Sequence, residues 1–177
     1  HINCVEMAKR FEDVGVAALT VHGRTREQMY APPINYDAIR AVKAAVSIPV
    51  IGNGDIIDGP SAARMIEYTN CDAVAVGRGA QGRPFVFSMI NAYLGEEARL
   101  LPEPPMSEIM RIMLKHIETL CRYKGEYIGM REARKHAAWY IKGVRGAAGF
   151  RREIGMLSSM DELYELSMKV IEASREE

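Results

Sequence analysis

No stretch of eighteen apolar residues occurs in this chain, so nothing in it reads as a membrane-spanning helix. The first residues, His1-Ile2-Asn3-Cys4, lack the basic-then-apolar order of a secretory signal, which leaves a cytoplasmic protein as the expectation. Cysteine is scarce: Cys4, Cys71 and Cys121 are an odd number, 67 and 50 residues apart, which fits neither a disulfide framework nor a zinc knuckle. They read as free thiols, and no metal is expected. Net charge is absent as well, with 23 Lys and Arg against 23 Asp and Glu. A uniformly basic nucleic-acid binder is thereby excluded. The zero hides an asymmetry: residues 121–152 hold nine Lys or Arg and two Asp or Glu, or +7, and the remainder carries −7. A local basic segment suggests one face meant for phosphates. At 177 residues, 48% hydrophobic and 26% charged, the chain has enough material for one large core or two small ones.

What is present divides into two kinds of pattern. Up to about residue 94, short β-rich apolar runs alternate with amphipathic helices, the pattern of parallel βα units. The spacing predicts a helix over 2–14 stopping at Gly15, a strand over 16–22, and a helix over 36–46 capped by Asn35. A strand over 48–52, a helix from Asp58-Gly59-Pro60 to about Tyr68, and a strand over 73–76 follow. The strands are continuous apolar runs, so both faces should be covered. Three strands cannot close a barrel, for which about 250 residues are typical. Residues 1–100 therefore read as the last three strands of a (β/α)8 barrel, with an open edge through which a dimer or swap is conceivable. Past Pro102-Glu103-Pro104-Pro105 the strand signal vanishes. Helices are predicted along Ile109, Ile112, Met113, Ile117 and Leu120, over 129–144, over 150–156, and after the capping box Ser159-Met160-Asp161-Glu162. The fold class is thus α/β followed by an all-α bundle at 101–177.

Three strand ends carry the chemical signals. Val21-His22-Gly23-Arg24-Thr25 delivers an imidazole and a guanidinium to one rim, and barrel active sites lie at the C-terminal ends of strands. Ile51-Gly52-Asn53-Gly54-Asp55 offers small residues that let backbone N–H groups approach a ligand. Val76-Gly77-Arg78-Gly79 is followed by a helix start near Pro84. Loops after strands seven and eight, beside a helix N-terminus, form the usual phosphate site of such barrels. Glycines serve ordinary turns too. Two clusters in consecutive units, with Arg78 in the second, favour a phosphate-bearing ligand.

The runs His22-Gly23-Arg24-Thr25-Arg26-Glu27-Gln28-Met29-Tyr30, Ile51-Gly52-Asn53-Gly54-Asp55-Ile56 and Gly77-Arg78-Gly79-Ala80-Gln81-Gly82-Arg83-Pro84-Phe85 resemble the tRNA-dihydrouridine synthases, in particular their bacterial B-type branch. Their order is similar to that family's strands six to eight, and the helical half is similar to its C-terminal domain. The resemblance implies reduction of a uridine in tRNA to 5,6-dihydrouridine, with FMN as hydride carrier and NADPH as its reductant. It implies that Asn53, Gly54, Asp55, Gly77 and Arg78 hold the FMN phosphate and ribityl chain. His22 would lie at the polar edge of the flavin ring and Arg24 near the substrate. One departure stands out: the family's general acid is a cysteine before a proline, and Cys4, Cys71 and Cys121 precede Val5, Asp72 and Arg122. The family's strand-five lysine has no counterpart either. The expectation is that this polypeptide alone is inactive.

In the predicted helix over 129–144, extended to Arg145, the cations Arg131, Arg134, Lys135, Lys142 and Arg145 gather within about 100° of one another, with His136 between the two faces. Ala133-Arg134-Lys135-His136-Ala137-Ala138-Trp139-Tyr140 resembles the tRNA-contacting helix of the same family, which implies RNA contact rather than an ordinary solvated stripe. Trp139 reads as packing, and His116 as structural. Two other readings remain open. One is a flavin barrel acting on a free pyrimidine, against which the basic appendage speaks. The other is a non-catalytic RNA-binding module.

Overall fold

The structure, a computed structural model, describes residues 2–175. Its elements run α1 (Cys4–Asp13), β1 (Leu19–His22), α2 (Tyr36–Ala45), β2 (Val50–Asn53), α3 (Gly59–Thr69), β3 (Ala73–Ala75) and α4 (Val86–Leu94). Four further helices follow: α5 (Met106–Lys124), α6 (Glu126–Tyr140), α7 (Ala147–Met156) and α8 (Met160–Ala173). The chain divides into two compact units. One runs to Ala80 and includes Val86–Leu101; the other contains Gln81–Phe85 and the chain from Pro102 onward. No helix of the described residues is long and apolar enough to cross a membrane.

In the first unit the strands pair in parallel in the order β1-β2-β3, with Leu19 beside Val50 and Ile51 beside Ala73. Local chemistry sets where the helices begin. The Asn35 side chain accepts the Ala38 N–H at 2.9 Å, opening α2. Asp58 and Ser61 cap each other reciprocally at the start of α3, with Pro60 in its first turn, and Asn70 in the left-handed region closes it. Ile39 and Val42 of α2 and Ala62 and Met65 of α3 are buried with Val50, Cys71, Val86 and Ile90. Each of the Val, Ile and Met side chains among them contributes about 1.5–3 kcal/mol when fully withdrawn from water.

Carboxylates secure the N-terminal ends of the strands. Glu12 accepts from the Ser47 N–H at 2.7 Å and the Ser47 hydroxyl at 2.6 Å, while Asp72 accepts from the Val50 N–H and Lys43, both at 2.7 Å. These groups bind the far end of the sheet and leave the C-terminal ends free for other chemistry. The expected cover on both faces is not found within this unit. Leu19 and Val21 are half-buried, but Thr20 and His22 on the opposite side of β1 are exposed, because three strands are too few to curl around and cover that face.

In the second unit α5 and α6 form a hairpin through Gly125, whose φ of 78° suits glycine. The two helices come so close that a Cβ on Gly129 would meet Cys121 Sγ at 2.7 Å. Met110, Met113, Ile117, Met130, Ala133, Ala137, Ile141, Ile154, Leu163 and Val170 form the core. The capping box at Ser159 and Glu162 opens α8 as predicted.

One expectation about α6 is corrected. The helix ends at Tyr140, not near residue 144, and the chain turns through Gly143 at φ 89° and Gly146 at φ 75°. Lys142 and Arg145 therefore lie beyond the helix. The five-cation stripe reduces on α6 itself to Arg131, Arg134 and Lys135.

Candidate functional site

Parallel pairing brings three strand ends into one row. His22 is registered with Asn53, and Asn53 with Ala75. The Asn53 carbonyl accepts the Gly23 N–H at 3.1 Å and lies 3.2 Å from His22 Nδ1, while its side-chain Nδ2 donates to the Ala75 carbonyl at 2.7 Å. Asn53 thus joins the ends of β1 and β3 across β2. The imidazole of His22 stays exposed on the open face.

Beyond β2 the chain turns through Gly54 at φ 145° and Asp55 at φ 46°. Aspartate tolerates the left-handed region better than most residues, so the turn presents a carboxylate at little backbone cost. Two guanidinium groups meet it. Arg24 donates from both terminal nitrogens, at 3.1 and 2.6 Å, and Arg78 donates to the same carboxylate at 2.9 Å. The burial is unequal: the Arg24 side chain is 2% exposed and the Arg78 side chain 52%. Arg24 also donates through Nε to the Ala31 carbonyl at 2.9 Å. Its hydrogen bond to Asp55 raises its already high pKa against the opposing effect of burial. The Asp55 carboxyl is held below its usual range, first by hydrogen bonding from Arg24 and then by its charge and that of Arg78, while desolvation opposes them.

Arg78 is held from a second side. Its guanidinium carbon lies 4.1 Å from the centre of the Tyr30 ring, within cation–π range. A Cβ on Gly79 would collide with the Ile56 carbonyl, so only glycine allows the third strand end to lie this close to the turn after β2. A Cβ on Gly77 would meet nothing within 4 Å. The result is an ion cluster of net charge +1 with a half-exposed guanidinium beside an uncrowded glycine. That chemistry suits an anionic group, with Arg78 as its charged donor. Among the described residues no His, Cys, Asp or Glu side chains are grouped to hold a metal ion.

The second unit carries the basic segment. Arg131, Lys135 and Lys142 are exposed. Arg131 bonds the Tyr127 hydroxyl and lies 5.1 Å from that ring's centre, and Lys135 Nζ lies 5.5 Å from the Trp139 ring. Arg134 is half-buried, and its Nε donates to the Leu157 carbonyl at 3.0 Å, tying α6 to the end of α7. His136 packs edge-on against His116 at 5.0 Å and Trp139 at 4.9 Å between centroids. Its Nδ1 is buried without a partner. Burial first, then the neighbouring His116, lowers the His136 pKa, which favours the uncharged ring near neutral pH. His116 bonds the Tyr140 hydroxyl at 3.0 Å, in keeping with the structural reading.

A family model described as dihydrouridine synthase matches residues 1–175. The chain belongs to the dihydrouridine synthase family. It is 49% identical over 161 residues to a protein of Vibrio cholerae named tRNA-dihydrouridine synthase B, which covers 90% of this chain and 49% of that protein. A protein of the same name from Serratia marcescens is 44% identical over 165 residues, covering 93% of this chain and 49% of its own length. The chain spans about half the length of the curated relatives it matches.

In this chain the fold brings His22, Asn53, Gly54, Asp55, Gly77 and Arg78 to one row of strand ends, and Arg24 into the same cluster. It leaves Arg131, Arg134, Lys135, His136 and Lys142 in the other unit. Tyr30, the platform under Arg78, was missed as a site residue. Its only sequence signal is its position in the loop that follows His22. Tyr127, the partner of Arg131, had the helical spacing i, i+4 as its signal.

Proposed function

We propose that this chain provides the flavin-phosphate end and the RNA-holding helices of an enzyme that reduces uridine to 5,6-dihydrouridine in tRNA. The family membership and the names of the relatives support the reaction. The observation that carries the cofactor assignment is the half-exposed Arg78 held on Asp55 beside the open Gly77, at three strand ends in register. The residues present fit FMN: Gly77 and Arg78, with Asp55 beside them, offer a cation and unhindered backbone to a phosphate dianion, and Asn53 and Gly54 line the neighbouring turn for the ribityl chain. His22, exposed on the same row, would meet the polar edge of the ring. When bound, FMN supplies the hydride chemistry, with NADPH as its reductant; the protein's share is to orient the flavin and polarise its surroundings.

On this reading β1, β2 and β3 are the last three strands of a (β/α)8 barrel, residues 1–100 its flavin-binding part and residues 101–177 a tRNA-binding domain. Arg131, Lys135 and Lys142 would meet RNA phosphates, and recognition would follow tRNA shape rather than a duplex groove. Arg134 and His136, occupied within the fold, would support that surface. The surroundings of the three cysteines support an acid supplied from elsewhere: Cys71 is buried ahead of β3, at the opposite end of that strand from Gly77, Cys4 begins α1, and Cys121 packs against Gly129 within the helical unit. The acid is therefore assigned outside this chain, and turnover to the intact protein in the cytoplasm.

Flavin retention tests the assignment. The intact protein should purify with FMN, and Arg78→Ala should lose most of it while keeping its fold by circular dichroism. Full retention in Arg78→Ala would remove Arg78 from the phosphate site.

A further inference from the structure

The ion cluster contains more than a phosphate contact needs. A carboxylate beside a bound phosphate is unfavourable by charge alone, yet Asp55 lies at the centre of the strand-end row. Arg24 cannot serve as an open anion donor, because its side chain is 2% exposed and its nitrogens go to Asp55 and the Ala31 carbonyl. Resting on the proposed FMN site, we infer that Arg24 and Asp55 are positioning residues: buried Arg24 fixes the Asp55 carboxylate, and Asp55 fixes the guanidinium of Arg78 for the cofactor's phosphate.

Three observations support the relay. The Arg24–Asp55 contact is two-pronged, the geometry in which a guanidinium fork restricts a carboxylate most. The carboxylate stands on a turn with φ 46°, next to Gly54 at φ 145°, so the backbone also limits where it can go. Arg78, on a different strand end, is bonded at 2.9 Å to the oxygen that also takes the longer Arg24 bond, and it remains half-exposed. A long side chain loses considerable rotamer freedom when it grips a ligand, and orienting it beforehand reduces that loss at the moment of binding. The Tyr30 ring limits the same guanidinium from another direction.

Charge and positioning predict opposite outcomes. If only charge mattered, neutralising Asp55 would strengthen binding of a phosphate. The relay predicts that it weakens binding, and only for the ligand that carries a phosphate.

The test is titration of the intact, flavin-stripped protein with FMN and, separately, with riboflavin, which lacks the phosphate. Asp55→Asn keeps a side chain suited to the left-handed turn and removes the charge; Arg24→Lys keeps the charge and removes the fork; Arg78→Ala serves as reference. The relay predicts that Asp55→Asn and Arg24→Lys each weaken FMN about ten-fold and leave riboflavin within about two-fold of the parent. If Asp55→Asn binds FMN as tightly as the parent or more tightly while Arg78→Ala loses it, the relay is overturned and the phosphate site stands. Equal losses for FMN and riboflavin would also overturn it, since they would reflect a damaged fold. If Arg78→Ala changes neither ligand, the phosphate assignment itself fails and the relay with it.

Discussion

Asp55 receives hydrogen bonds from two arginines, and its carboxyl is held below the usual range chiefly by Arg24. A folded-state pKa below the unfolded one means that stability from this group is fully present above the unfolded value, about 3.9, and is lost as pH falls through the folded value. The stability gap between the parent and Asp55→Asn should therefore be constant from about pH 7 to 5 and shrink below about pH 4. Urea unfolding midpoints across that range check it; a gap that closes nearer neutrality would contradict the ion-pair account. Arg134 gives a second residue-scale test. Its bond to the Leu157 carbonyl makes Arg134→Glu a stability mutant, costing roughly 1–2 kcal/mol, whereas exposed Lys135→Glu should stay within about 0.5 kcal/mol of the parent. Thermal melts of the two single variants separate them.

At the scale of elements, what the sequence made legible was what depends on neighbours in the chain. The capping signals of α2, α3 and α8 are written within three residues of their starts, and their starts agree with the structure to within a residue. The end of α6 was not legible. Ile141 and Val144 keep the helical apolar spacing, but Gly143 and Gly146 take positive φ and turn the chain, a choice made by packing in three dimensions. The candidate site divides in the same way. His22, the glycines and Arg78 could be found because strand ends are local, whereas the pairing of Arg24 with Asp55 spans 31 residues and depends on strand register. The α5–α6 crossing supplies a prediction at this scale. Gly129→Ala would set a methyl group against the Cys121 backbone and sulfur, and should destabilise the protein by about 1–3 kcal/mol. Denaturant unfolding with an unchanged midpoint would show that the helices separate freely there.

For the whole molecule, a chain of zero net charge carries a +7 segment in its helical unit and an anion-suited cluster in its strand unit. Each phosphate contact by an exposed cation should contribute roughly 0.7–0.9 to the slope of log affinity against log salt, so Lys135→Glu and Lys142→Glu should each weaken tRNA binding and flatten that slope by about one contact. Unchanged affinity in both variants would remove this surface from the RNA interface. The reaction itself is the most direct test of the account. Intact protein, FMN, NADPH and unmodified tRNA would be incubated together, with free uridine in a parallel reaction, and dihydrouridine measured by mass spectrometry of the digested products. The account predicts dihydrouridine in the tRNA and none from free uridine; reduction of free uridine as readily as tRNA, or of neither, would contradict it.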